Sequence, residues 1–178
     1  MRLSVGQKVA YPNQGVCLVE EFKHCSVGER SVSGYSLRVL GDNSTIFVPT
    51  ENTDAVGIRP LISSNECRRL IDKLSENFDP LPGDWKTRAR DFGEMLRSGD
   101  VFQAADVLKT LALLSHEKKL SFREQTMLEK SKYLIVSEIS NTIKNGKTPV
   151  EDDVMNRVEQ ACVKHGFTEP KALSATIH

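Results

Sequence analysis

The sequence predicts a two-domain α+β protein: a small antiparallel β-barrel or curled sheet over residues 1–60, then an all-α five-helix domain over residues 61–166. Residues 167–178 read as a loose tail. Two observations lead there. Up to about residue 60 the chain is a series of short β-rich runs cut by glycine, proline and asparagine, with no helical window. Beyond Leu61 the apolar spacing becomes helical, with capping residues ahead of the runs.

The strands come in order. Lys8-Val9-Ala10-Tyr11 meets Pro12-Asn13-Gln14-Gly15, where proline presets φ and glycine permits a positive one. Val16 to Phe22 is the next β-rich run, and a polar stretch from Ser26 to Gly34 separates it from Tyr35 to Leu40. Gly41-Asp42-Asn43 is a hairpin signal, and Thr45-Ile46-Phe47-Val48 closes the set before Pro49. A sheet this small keeps an edge unless it closes fully, and an edge is a place to pair.

The helices follow. Ser63 and Glu66 form a capping box ahead of Cys67, Leu70, Ile71 and Leu74 on one stripe. Pro80, Pro82 and Gly83 break the chain before a second helix, which opens at Asp84 or Trp85 and stops at Gly99. Asp100 caps a third helix, with Phe102, Ala105, Val107, Leu108 and Leu111 apolar. Ser121 and Glu124 form another capping box, and the helix they start is expected to run to Asn145-Gly146. Its apolar residues (Phe122, Leu128, Tyr133, Leu134, Ile135, Ile139) spread over more than one face, which predicts burial among the other helices. Thr148-Pro149-Val150-Glu151 starts a last helix that ends near His165-Gly166.

Composition narrows the function. Lysine plus arginine and aspartate plus glutamate both number 24, so the formal net charge is zero. A free-standing duplex binder usually carries a basic excess, so any contact with nucleic acid here needs something else to bring the chain to it. The four cysteines (Cys17, Cys25, Cys67, Cys162) form no C-x-x-C pair, and His24-Cys25 has no second pair at zinc spacing. Buried reduced thiols are the expectation, with no metal and no cofactor. No G-x-G-x-x-G, P-loop, G-x-S-x-G or H-E-x-x-H occurs, so no enzyme and no small-molecule substrate are expected. The start lacks an apolar leader run, and the longest apolar stretches, Leu111–Leu114 and Leu134–Val136, are too short to span a bilayer. A cytoplasmic protein without membrane contact is expected.

One segment carries recognisable chemistry. Residues 84–97, Asp-Trp-Lys-Thr-Arg-Ala-Arg-Asp-Phe-Gly-Glu-Met-Leu-Arg, hold the only tryptophan, at the first turn of a helix. At 100° per residue Trp85, Ala89, Phe92 and Leu96 share a stripe, flanked by Lys86, Arg90 and Arg97, with Arg88 on the other side of the indole. Two readings stand at this point. Trp85 begins a core stripe beside a solvated basic face, or it is an apolar wedge beside phosphate-binding cations, a known way to grip the minor groove.

These residues belong to an ordered series that resembles the CarD/CdnL family of bacterial transcription regulators. The N-terminal module is also similar to the polymerase-interacting domain of transcription-repair coupling factors. The matching residues are Val5-Gly6 with Val9, Tyr11-Pro12 with Gly15-Val16, Tyr35 with Leu37, Val48-Pro49 and Gly57-Ile58-Arg59-Pro60. In the helical part they are Trp85 with Arg88, Ser98-Gly99-Asp100, Ala105 with Val107-Leu108 and Leu111, and Leu120-Ser121 with Glu124 and Met127-Leu128.

The resemblance implies a Tudor-like barrel that docks on the RNA polymerase β subunit by strand addition. Thr45 to Pro49 matches the strand used, which places Ile46, Phe47, Val48 and Pro49 at the contact, with Val27 beside them. Alternation lets only one of each adjacent pair face the partner, and Phe47 is the expected exposed anchor. The resemblance also implies that Trp85 enters the minor groove at the upstream edge of the transcription bubble. Lys86, Arg88, Arg90 and Arg97 would lie near phosphates, and Lys130 or Lys132 would extend that surface. Little sequence preference for promoter DNA is expected, because few base contacts are needed. The alternative is an adaptor whose helical domain binds a second protein and no DNA.

Overall fold

A computed structural model of the chain describes residues 1–78, 84–143 and 149–168. Five strands, β1 (Lys8–Tyr11), β2 (Gly15–Val27), β3 (Arg30–Val39), β4 (Thr45–Pro49) and β5 (Arg59–Pro60), form one antiparallel sheet in the order β4-β3-β2-β1-β5. The sheet does not close, so the expected barrel is corrected to an open sheet. The reason is local. The strand that would have to meet β4 is β5, which is two residues long and pairs only with β1 before the chain leaves for the helical part.

Alternation builds the core of this sheet. Cys17 and Val19 on β2 face the same side as Leu37 and Val39 on β3, and all four are buried with Val9, Tyr35, Val48 and Ile58. A register shift between Val19 and Glu21 resets the alternation, so that Phe22 pairs with Tyr35 and lies on the core face beyond the covered part of the sheet.

Six α-helices are present among the described residues, against the five expected. The additional one is a single turn, α1 (Thr53–Val56), inside the N-terminal part and closed by Gly57 in the left-handed region. No apolar period marks it in the sequence. The others are α2 (Ser64–Ser75), α3 (Trp85–Arg97), α4 (Val101–Glu117), α5 (Phe122–Thr142) and α6 (Val150–Thr168).

Both capping boxes form. Ser63 Oγ accepts from the Glu66 amide at 3.2 Å while Glu66 accepts from the Ser63 amide at 2.8 Å, and Ser121 and Glu124 repeat the exchange at 3.3 and 2.8 Å. Asp84 and Asp100 cap α3 and α4. The final helix runs through Thr168, past the expected stop at His165-Gly166 and into the start of the expected tail. Helix α5 ends at Thr142, where Ile143 turns extended, short of the expected stop at Asn145-Gly146. The breaks assigned to Pro80, Pro82 and Gly83, residues Asn145 and Gly146 themselves, the cap at Thr148 and tail residues 169–178 lie outside the described residues.

The second core belongs to the helices, with α4 at its centre: Leu70, Leu74, Leu108, Leu111, Ile135 and Val158 are sealed. Helix α5 serves both bodies. Its Ile135 and Ile139 enter the helical core, while Tyr133, Ser137 and Asn141, four residues apart, form a polar stripe against the sheet. Tyr133 donates to the Gln14 carbonyl at 3.1 Å, the Val16 amide donates to Ser137 at 3.2 Å, and the Lys8 ammonium donates to Asn141 at 2.8 Å. The Tyr133 ring fits because two glycines make room: a methyl group on Gly41 would lie 2.1 Å from its hydroxyl, and one on Gly15 would lie 2.9 Å from the ring.

Gly41→Ala is therefore expected to displace the Tyr133 ring and destabilise the protein by about 1–3 kcal/mol, as overpacking does. Urea unfolding against the parent protein measures this, and Tyr133→Phe in the same background separates the steric loss from that of the single hydrogen bond.

Candidate functional site

The start of α3 is set by its cap. Asp84 accepts from the Thr87 amide at 3.2 Å and from the Thr87 hydroxyl at 3.1 Å, which pins Trp85 as the first residue of the helix. Along the predicted stripe Phe92 and Leu96 are buried and Ala89 half-buried, but Trp85 is 60% exposed. The stripe climbs out of the core toward the helix tip. The indole therefore projects, and it carries the Lys86 ammonium 5.8 Å from its ring centre.

The indole borders a cleft between two helix starts. Arg88, Ala89 and Phe92 line it from α3, and Ser121, Arg123, Glu124 and Met127 line it from α5. Glu124 would put negative charge there, but Lys118 donates to its two oxygens at 2.9 and 3.2 Å. That bond, with those from Ser121, holds the Glu124 carboxyl at about 2 despite its burial.

The predicted basic residues divide. Lys86, Arg90 and Arg97 are exposed, although Arg90 shares its guanidinium with Asp91 at 3.3 Å. Arg97 folds back over Gly93 at the far end of α3. Arg88 is only 8% exposed, because its position on the helix turns it toward α5 rather than toward solvent. It belongs to the wall beneath the indole, a correction to its reading as a surface cation.

Lys130 lies 5.6 Å from the centre of the Tyr133 ring and lines a groove with Gln14, Gly41 and Asp42, on the side of α5 that meets the sheet. Burial there lowers its pKa against the opposing pull of Asp42. Lys132 is held by Glu129 at 2.7 Å and Glu151 at 3.0 Å, tying α5 to α6, and these partners raise its pKa. Neither extends the surface around Trp85 as expected.

Two residues of that surface went unread. Phe122, expected among the buried faces of its helix, is 86% exposed, and Arg123 lines the cleft beside Trp85. The signal was the capping box at Ser121, which places Phe122 at the first helical position, outside the apolar stripe.

In the sheet, β4 is an edge strand, paired with β3 alone. Val48 is 2% exposed and Ile46 packs against the sheet core, so these two point inward and correct their placement at a contact. Phe47 points to the other face as alternation requires. It is half-buried rather than free, because its ring lies over the bare Cα of Gly34. Pro49, half-buried, faces Gly34 in the register, and the Thr50 hydroxyl fastens the strand end to the Ser33 carbonyl at 2.7 Å. Val27 ends β2 opposite Arg30; its side chain lies outside the described residues.

One end of the chain thus offers backbone pairing, and the other an aromatic tip with cations. Sequence comparison decides which kind of protein carries both. The family description "CarD-like/TRCF RID domain" matches residues 3–62 and "CarD, C-terminal domain" matches residues 69–153. The chain belongs to the CarD family. This CarD-family chain is a transcription regulator that binds RNA polymerase, as the family pattern supports. It is 25% identical over 137 residues to YdeB of Bacillus subtilis (strain 168), by its name a candidate transcription factor, covering 76% of this chain and 88% of that one. The solution structure of the N-terminal domain of Myxococcus xanthus CarD is 34% identical over 33% of this chain and 79% of that one, with a TM-score of 0.29.

The cleft carries a pH signature. Glu124 is held at about 2, below its ordinary 4.5, so its ionised form stabilises the folded state at neutral pH, and that stabilisation drains away as pH falls from about 4.5 to about 2. The stability difference between the parent and Glu124→Gln is expected to be full at pH 7 and to vanish at the acid end. Urea midpoints across that range read it.

Proposed function

We propose that this CarD-family protein docks on the β subunit of RNA polymerase through the free edge of β4 and stabilises the open promoter complex by placing Trp85 at the upstream edge of the bubble. Phe47, on its Gly34 platform, anchors the docked strand, with Pro49 and the end of β2 near Val27 beside it. Lys86, Arg90 and Arg123 hold phosphates around the indole, and Phe122 adds apolar surface. Arg97, at the far end of α3, contributes at most to the longer-range field. The single observation that carries this reading is the projecting, cation-flanked indole at a capped helix start.

The energetics are modest. Phosphate contacts from a handful of cations bind weakly at cellular salt. Docking on polymerase supplies a high effective concentration, so the DNA contact needs little strength of its own. That agrees with a net charge of zero. A preference for open over closed promoter of about 1.4 kcal/mol shifts the ratio tenfold. Promoter sequence matters little in this scheme, since the wedge reads a bubble edge rather than bases. The protein acts in the cytoplasm as a non-enzymatic factor, without cofactor.

The exposed Phe122 favours a second reading, an adaptor that binds another protein through the helical tip. Trp85→Ala separates the two. The wedge predicts that this variant, folded and still bound to polymerase, loses roughly tenfold of the open-complex lifetime gain, the scale of about 1.4 kcal/mol. An unchanged lifetime favours the adaptor. Docking is checked by Phe47→Glu, which is expected to abolish co-purification with the β subunit; retention would move the interface elsewhere.

A further inference from the structure

Strand β5 opens with Arg59, whose five N–H donors are all engaged. Nη1 and Nη2 donate to the two Glu138 oxygens on α5 at 2.5 and 2.8 Å. Nε and Nη2 donate to the Gly99 carbonyl at the end of α3, at 3.0 and 2.8 Å, and Nη1 also reaches the Pro60 carbonyl at 3.1 Å. Glu138 is nearly sealed, and one of its oxygens also accepts from the Ile62 amide at 2.9 Å. Gly99 is itself wedged against Pro12 of the β1–β2 turn, 3.0 Å from where a methyl group would stand. One guanidinium therefore joins the sheet, the end of the wedge helix and α5. Only a planar fork with this number of donors can make that junction, and a lysine cannot.

Its position gives the junction leverage. Helix α3 runs from Trp85 to Arg97 beside Gly99, about 20 Å at 1.5 Å per residue. The docking strand β4 stands four strands from β5 in the sheet order, again about 20 Å at 4.8 Å per strand. A rotation of sheet against helices of about 10° about this point would move the indole by roughly 3 Å relative to a docked β4. Misplacement on that scale removes a close contact while leaving both surfaces intact.

We propose that Arg59 is a positioning residue for the DNA contact: its fork to Glu138 and its bonds to the Gly99 carbonyl set the angle between the polymerase-docked sheet edge and Trp85. The proposal rests on the wedge reading above. It assigns Arg59 no contact with polymerase or DNA. Loosening the junction is therefore expected to leave docking untouched and to weaken the effect of each docked molecule.

The test uses full-length Arg59→Lys, which keeps the charge and loses the fork, and Glu138→Gln, which keeps the shape and the Ile62 bond and loses the ionic partner. Trp85→Ala is measured alongside. Each is checked for folding by circular dichroism, then for affinity to purified polymerase, then for open-complex lifetime with every polymerase occupied. The expected result is parental polymerase affinity for both junction variants, with the lifetime gain at saturation reduced roughly tenfold, as for a misplaced contact. A folded variant with both affinity and saturated lifetime unchanged overturns the positioning role while leaving the wedge in place. A loss of affinity that fully restores lifetime once saturated also overturns it, showing that the junction serves docking alone. If Trp85→Ala itself leaves the lifetime unchanged, the wedge reading fails first and takes this proposal with it.

Discussion

Helix α5 has to satisfy two cores at once, and the constraint that follows organises the rest of the molecule. Its apolar side completes the helical body through Ile135 and Ile139, while a polar stripe of Tyr133, Ser137, Glu138 and Asn141 meets the sheet through hydrogen bonds, not through grease. A polar seam of this kind demands partners in fixed places. A carboxylate as deeply covered as Glu138 is tolerable only while Arg59 and the Ile62 amide face it, since removing one side of such a pair leaves an uncompensated buried charge. Glycines at 15 and 41 answer the same demand sterically, because a side chain at either would hold the Tyr133 ring off the turn.

Electrostatics on the surface follow a different logic. Many acidic groups are committed to caps or pairs: Glu66 and Glu124 close capping boxes, Asp84 and Asp100 cap helices, and Glu129 and Glu151 hold Lys132. A chain with equal numbers of acids and bases can in this way keep a locally positive tip around Trp85. Net charge describes the whole molecule, whereas a contact only a few ångströms wide senses the neighbours within a screening length.

Much of this was legible in the sequence, and the gaps have physical causes. The switch to helical spacing near Leu61 and the caps at Ser63, Asp84, Asp100 and Ser121 are local signals, and each stands where the chain implies. The polar stretch from Ser26 to Gly34, expected to separate two strands, is instead mostly ladder, with β2 running to Val27 and β3 starting at Arg30, because hairpin pairing does not need apolar side chains. Closure of the sheet was misjudged because it depends on how β5 meets its neighbours, a long-range fact. The one-turn helix at Thr53 was missed because four residues cannot display a period. Within the site, the projection of Trp85 was readable from its place at a helix start. Arg88, Lys130 and Lys132 were misread because solvent exposure depends on which neighbour a helix face meets, and α5 turned out to have a neighbour on nearly every side. Gly15 and Arg59 stand in the series that carries the family resemblance and Gly41 was legible only as a turn signal, but nothing in a single chain says that Tyr133 and Glu138 are what they face.

The thiols have a practical side. Burial raises Cys17 and Cys162 to about 11 and pushes Cys67 upward as well, so at neutral pH these thiols stay protonated. Alkylating reagents and mild oxidants attack the anion, which makes these three poor targets in the folded state. Cys25 is the partly accessible one, on the hairpin arm of β2 and β3 away from α5. The native chain thus comes with a single convenient handle, suited to carrying a fluorophore or spin label without removing any other cysteine.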